Sequence, residues 1–144
     1  MDITTLPFNQ LIGLTRSDRA GALLSLPGDA RYTNHAGTIH AGALLALAEN
    51  TSGECLLREF RDLGHSVLPL VRRFEAKFRK PARGAVHASA TVAAEAKTAF
   101  LATLAARGRA PLNVQVEIHD DNGTLVMNAA VEWFIARREE GAGI

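Results

Sequence analysis

The spacing of apolar residues changes along the chain, and the changes divide it into elements. Leu6 to Leu14 predicts a short helix with Pro7 near its first turn. Gly21 to Leu26 reads as a short strand ending at the turn Pro27-Gly28-Asp29. A glycine-punctuated loop then leads into a helix predicted from about His40 to Phe60. Its first half is apolar all round and rich in Ala and Gly, the composition of a helix enclosed by sheet. Its second half, with Glu54, Arg58, Glu59 and Arg61, is expected to return to water. After Gly64 the period becomes two. In VLPLVRRFEAKFRK, Leu68, Leu70, Phe74, Ala76 and Phe78 share one face, and Arg73, Glu75, Lys77 and Arg79 the other. Pro81 and Gly84 mark a turn. Val86 to Ala94 alternates again, with His87, Ser89 and Thr91 on the less apolar face. Thr98 to Arg107 is helix-like or irregular. Val114, Val116 and Ile118 alternate with Gln115, Glu117 and His119, and Asp121-Asn122-Gly123 turns the chain into Leu125 to Ala136.

The order is short helix, strand, long buried helix, then four strands joined mostly by short turns. Short connections favour antiparallel pairing, so the expected class is α+β, one antiparallel sheet wrapped around one long central helix. Such a sheet has one face covered by the helix. The other is solvated or covered by a second subunit.

Composition narrows the function classes. With 144 residues the chain is expected to form one domain over 1–144, its core at about 20–137, without needing staples. A formal net charge of +1 gives no general ground for nucleic-acid or membrane binding. Cys55 is the lone cysteine, so an intrachain disulfide and a cysteine-rich metal site are excluded. The N-terminus, MDITTLPFNQ, lacks the basic start and apolar core of a signal peptide. The longest apolar or glycine run, Ala41 to Ala48, is too short for a membrane span. A reducing, cytoplasmic setting is therefore expected.

The chemistry concentrates in NHAGTIHAGALLALAEN, Asn34 to Asn50. The first N–H groups of a helix lack internal partners, and the helix dipole adds partial positive charge there. Ala41 and Gly42 would present such groups beside Asn34 and His40, an arrangement suited to an oxygen that is becoming negative. Gly37 and Gly42 permit a tight backbone and close approach of a ligand. Glu49 interrupts the apolar run, where a carboxylate without a partner is costly. Nine residues of helix turn it about 180° from His40 and raise it about 13 Å. The two cannot act on one small group from the same helix, but a second copy could bring its Glu49 opposite the first copy's helix mouth. Each residue also has an ordinary structural reading. Asn34 satisfies turn backbone, His40 hydrogen-bonds at a helix start, and Glu49 sits in an ion pair. Thr51 and Ser52 are read as helix-lining hydroxyls, and Cys55 as a small buried apolar residue.

The run N-x-x-G-T-I-H-A-G-A-L-L-A-L-A-E resembles the active-site segment of hotdog-fold thioesterases, especially the phenylacetate-degradation type and related uncharacterised families. The order of elements over roughly residues 20–137 resembles a hotdog as well. The resemblance implies an acyl-CoA thioesterase, active as a homodimer or dimer of dimers, with coenzyme A as part of the substrate and no metal or other cofactor. It places Asn34 and His40 beside the thioester, the Ala41 N–H on its carbonyl, and Glu49 of the partner subunit as nucleophile or general base. Arg72, Arg73, Lys77, Arg79, Lys80 and Arg83 are candidates for the CoA phosphates, the ordinary reading being solvated strand and turn residues. Ala41 departs from the usual first Gly of the family's G-x-x-H-G-G, adding a methyl where the thioester would lie. Ser66 is the candidate for an assisting hydroxyl. The alternatives are a non-catalytic acyl-CoA-binding module and a hotdog dehydratase or hydratase. No G-x-x-x-x-G-K-[ST] or G-x-G-x-x-G is present to support ATP or NAD use.

Overall fold

The computed structural model describes residues 1–138. The elements in chain order are α1 (Pro7–Leu11), β1 (Thr15–Arg16), β2 (Leu24–Leu26), α2 (Ala41–Glu59), β3 (Val67–Phe78), β4 (Val86–Thr91), α3 (Ala94–Arg107), β5 (Arg109–Asp120) and β6 (Leu125–Arg137). Short 3-10 turns precede α1, precede the loop into α2, and link α2 to β3. Six strands form one sheet in the order β1-β2-β4-β5-β6-β3, every neighbouring pair antiparallel. The class is α+β with a long central helix, as the sequence predicts.

The sheet curves over α2. Val114, Val116 and Ile118 of β5 and Met127, Val131 and Trp133 of β6 are buried, with Leu44, Leu47, Ala48 and Leu56 of the helix in the same core. Alternation along β5 is complete, every second residue from Ala110 to Ile118 being buried. That periodicity sets which sheet face meets the helix. Among the described residues, no helix is long and apolar enough to cross a membrane.

Four expectations from the sequence need correcting. The strand expected from Gly21 is only Leu24–Leu26, and it pairs with the unforeseen two-residue β1. The alternation of Val86 to Ala94 stops at Thr91, because α3 begins at Ala94 and fills the stretch that looked helix-like only from Thr98. This helix docks on the end of α2, through an edge-on Phe60–Phe100 contact and a Lys97–Glu59 pair. Glu54 does not return to water. It is 4% exposed and pairs with Arg16 Nη1 and Arg58 Nε, each at 2.8 Å. Beside it, Asn9 of α1 donates to Asn50 Oδ1, so polar contacts fix the N-terminal segment across one flank of α2.

The fourth correction concerns β3. Leu70 lies opposite Phe134 and Phe74 opposite Val131, so β3 advances four residues while β6 advances three. This bulge at Arg72 inverts the alternation. Phe74, Ala76 and Phe78 share the inner, helix-side face with Val71. Leu68 and Leu70 join Arg73, Glu75 and Lys77 on the outer face. β3 is also the end strand of the sheet, so one edge of its twelve residues has no strand beside it among the described residues. Leu68, Leu70, Val71 and Phe78 of this strand are exposed.

Candidate active site

The mouth of α2 is built by its preceding loop. Thr33 and Ile39 form a bridge, and Asn34 N–H donates to the Thr38 carbonyl across a turn that Gly37 completes with φ 68°. Asn34 Oδ1 accepts from the backbone N–H groups of Ala36 and Thr38, and Nδ2 donates to Thr38 Oγ1 at 2.9 Å. Its side chain is thus engaged in the turn, with one amide hydrogen left over. The loop is strapped down at both ends. His40 N–H donates to the Tyr32 carbonyl, Ile39 N–H to the Ala82 carbonyl, and Arg83 Nη1 to the Gly37 carbonyl.

His40 is the N-cap of α2, and its Nδ1 accepts the Gly42 N–H at 2.9 Å. Two consequences follow. An Nδ1 that accepts places the ring proton on Nε2, so this exposed imidazole offers an outward-facing donor. The Gly42 N–H is used up, so this residue contributes its missing side chain instead. A Cβ there would lie 3.1 Å from His40 Nδ1. The Ala41 N–H has no acceptor among the described residues, is exposed, and stands at the positive end of a nineteen-residue helix. It is the open donor of the mouth.

Glu49 lies farther along α2, half-buried, its carboxylate with no hydrogen bond or ion pair among the described residues. Burial alone pushes its carboxyl above the ordinary glutamate range. The contrast with its neighbours is sharp: of the three carboxylates on this helix, Glu54 is held by two arginines, Glu59 by Lys97, and Glu49 is left unpaired among the described residues. Ser52 Oγ donates to the Glu49 carbonyl at 2.7 Å and accepts Trp133 Nε1–H at 2.9 Å. Cys55 is buried with its thiol pushed up to about 11, chiefly by burial, which removes it as a nucleophile near neutrality.

The other candidates are scattered. Arg73 and Lys77 lie on the outer face of β3, away from α2, and Arg73 pairs with Glu75. Arg72, at the bulge, is 3.4 Å from Glu132, and Arg79 Nε donates to Asn128 Oδ1. Lys80 follows β3, with its N–H on the Val126 carbonyl. Of the basic run only Arg83 reaches the mouth loop, by its bond to Gly37. Ser66 lies beyond the opposite end of α2, donating to the Leu63 carbonyl. A groove of about 260 Å³ between α3 and the sheet is lined by Phe100, Thr103, Pro111, Asn113 and Glu132 and includes neither Ala41 nor Glu49. One chain therefore supplies a mouth and a carboxylate that do not converge on each other.

The domain of unknown function DUF4442 matches residues 12–135. The chain belongs to the DUF4442 family. Among solved structures, a probable thioesterase of unknown function from Pseudomonas aeruginosa is 29% identical, with a TM-score of 0.76 over 92% of this chain and 89% of that one. A thioesterase from Haemophilus influenzae is 19% identical, with a TM-score of 0.73 over 98% and 90%. A Bacillus halodurans protein solved with CoA is 17% identical, with a TM-score of 0.62 over 78% and 69%. No curated protein matches the chain. This DUF4442 domain has the hotdog fold of the thioesterases it resembles, as its helix-mouth motif implied.

Proposed function

We propose that this DUF4442 domain hydrolyses acyl-CoA thioesters at a site shared between two copies of the chain. The observation that carries the reading is Glu49, a half-buried carboxylate without a partner on a helix that elsewhere neutralises its buried acid completely. Leaving such a group unpaired is costly, and it is the condition of a general base or nucleophile. The thioesterases among the similar structures, and the relative solved with CoA, support the substrate class.

A second copy supplies the missing convergence. The free edge of β3 and its exposed apolar residues are a template for antiparallel pairing about a two-fold axis. Such pairing continues the sheet and sets two antiparallel central helices side by side, each Glu49 toward the other's mouth. The thioester oxygen then rests on the Ala41 N–H. In the base route, Glu49 takes a proton from water while the hydroxide forms the new C–O bond. The tetrahedral oxyanion is held at the helix end, and its collapse breaks the C–S bond, the thiolate recovering the proton from Glu49. In the nucleophilic route the carboxylate attacks the carbonyl carbon, and the C–S bond breaks as the thiolate leaves. Water then hydrolyses the mixed anhydride to the free acid and regenerated Glu49. His40 Nε2–H faces outward as a second donor to the substrate. Arg83 is the basic group nearest the mouth loop.

A panel of short, long and aromatic acyl-CoAs, assayed by thiol release, tests the reading. Turnover of at least one class is expected, and none across the panel overturns it.

The role of the Ala41 N–H has its own test. Proline is favoured at the first position of a helix, and His40 at ψ 135° already has the backbone that precedes proline. Ala41→Pro should therefore fold and associate normally while lowering kcat about 10²–10³-fold, the usual effect of losing one oxyanion donor. Ala41→Gly, which keeps the N–H, should stay active. An Ala41→Pro protein with wild-type turnover excludes the N–H as the donor.

A further inference from the structure

The turn of α2 that bears Glu49 is held by a contact from the sheet that the mechanism above does not use. Trp133 projects from the inner face of β6, 7% exposed, between Leu112 of β5 and Val71 of β3, where the bulge begins. Its Nε1–H donates to Ser52 Oγ at 2.9 Å, and the Ser52 hydroxyl donates to the Glu49 carbonyl at 2.7 Å. Ser52 itself is fully buried. Within a helix the Glu49 carbonyl also serves the amide four residues on, so Ser52 adds a second donor and biases the local bend. The next residue is Gly53, and a Cβ there would stand 3.5 Å from Trp133 Cζ2. The indole therefore lies against helix backbone rather than on a layer of side chains. Residue 53 is four positions from residue 49, which puts the two on neighbouring turns of the same flank.

We propose that Trp133, acting through Ser52, is the positioning residue for the Glu49 carboxylate. The chain from indole N–H to serine hydroxyl to helix carbonyl sets the rotation of this turn against the sheet. It thereby sets the direction in which Glu49 leaves its own protomer. A single carboxylate aimed at a site in another chain gains its precision from the helix alone, and a misplacement of about 1 Å can cost about 10²-fold in rate. Ser52 and Trp133 touch neither substrate nor the reacting atoms. The inference rests on the thioesterase reading for its kinetic consequences, but not for its spectroscopic ones.

The test uses Trp133→Phe, which keeps an aromatic ring and removes the donor, Ser52→Ala, and the double variant. Both single variants should lower kcat about 10–100-fold with KM within about two-fold of wild type, and the acid limb of the pH–rate profile should move. The double variant should be no worse than the weaker single, because both changes break one chain. A folded Trp133→Phe protein with unchanged kcat and pH profile overturns the proposal, whatever its Tm. Trp133 is the only tryptophan, so its emission gives a readout independent of turnover. The emission should titrate with pH in the wild type, stay flat in Glu49→Gln, and lose or shift the transition in Ser52→Ala. The other charged group beside the indole in sequence is Glu132, which faces the outer side of β6 with Arg72 and is unchanged in these variants. If no acyl-CoA is hydrolysed but the Glu49-dependent emission change is present, the thioesterase reading fails and the positioning stands. If hydrolysis is lost in Glu49→Gln and the emission is identical in both proteins, the positioning fails and the thioesterase reading stands.

Discussion

Glu49→Gln should abolish acyl-CoA hydrolysis while leaving the protein folded, associated and more stable at neutral pH than the wild type. The amide matches the carboxylate in volume but can neither take a proton nor attack a carbonyl. The stability gain follows from the environment that makes the residue useful. Burial without a partner raises the carboxyl above its ordinary range, so the folded state favours the protonated form. A raised carboxyl contributes stability that is fully present below the unfolded-state value and is lost as pH rises through the folded-state value. The Tm difference between the proteins should thus open as pH rises from the acid side toward 7. Wild-type hydrolysis should change in the opposite sense, gaining activity as Glu49 ionises, with its acid limb above the ordinary glutamate range. Turnover near that of the wild type in purified Glu49→Gln removes Glu49 from the chemistry, and a variant less stable at pH 7 shows that the carboxylate is not buried unpaired.

What the sequence discloses about this site is mostly local. The limits of α2 fall within a residue of those expected from the apolar run, because the His40 cap and the end of the run are both written in sequence. The mouth is legible for the same reason: Asn34, Gly37, His40 and Gly42 interact with backbone two to four residues away. What escapes detection depends on partners distant in sequence. Glu54 reads as exposed because nothing near it announces that Arg16, 38 residues earlier, will cover it. Nothing in the alternation of Leu125 to Ala136 singles out Trp133, whose bond to Ser52 spans 81 positions. β3 deceives differently. Strict alternation is visible, but a bulge depends on the register with β6, so the apolar and charged sets exchange faces without any change in the pattern. α3 hides behind weak punctuation. It starts from Ala93 with no side-chain cap, directly after an alternating run, and only Gly108, with φ 70°, marks its end. The basic residues lie close together in sequence, but β3 and its turn spread them apart and leave Arg83 alone near the mouth.

Two inactive proteins should become active when mixed. Ala41→Pro removes the donor from the helix mouth and leaves Glu49 intact. Glu49→Gln does the reverse. If each site takes its mouth from one chain and its carboxylate from the other, a mixed dimer has one site with both functional groups and one with both lesions. Random exchange makes about half the dimers mixed, each with one of two sites intact, so about a quarter of wild-type activity should return. The physical basis is the regular course of α2 from Ala41 to Glu59. Over nine residues it carries Glu49 about 180° around the axis and about 13 Å along it from His40, beyond the reach of one thioester group. In the proposed dimer, the edge of β3 that has no strand beside it among the described residues would be the surface on which a second chain brings the two together. Exchange is followed by mass with one partner isotopically labelled, and the same mixture prepared without exchange sets the baseline. Verified mixed dimers with no activity above the parents exclude the shared site. Glu49 would then have to act within its own chain, and the side of the helix from which it projects leaves it no mouth to serve.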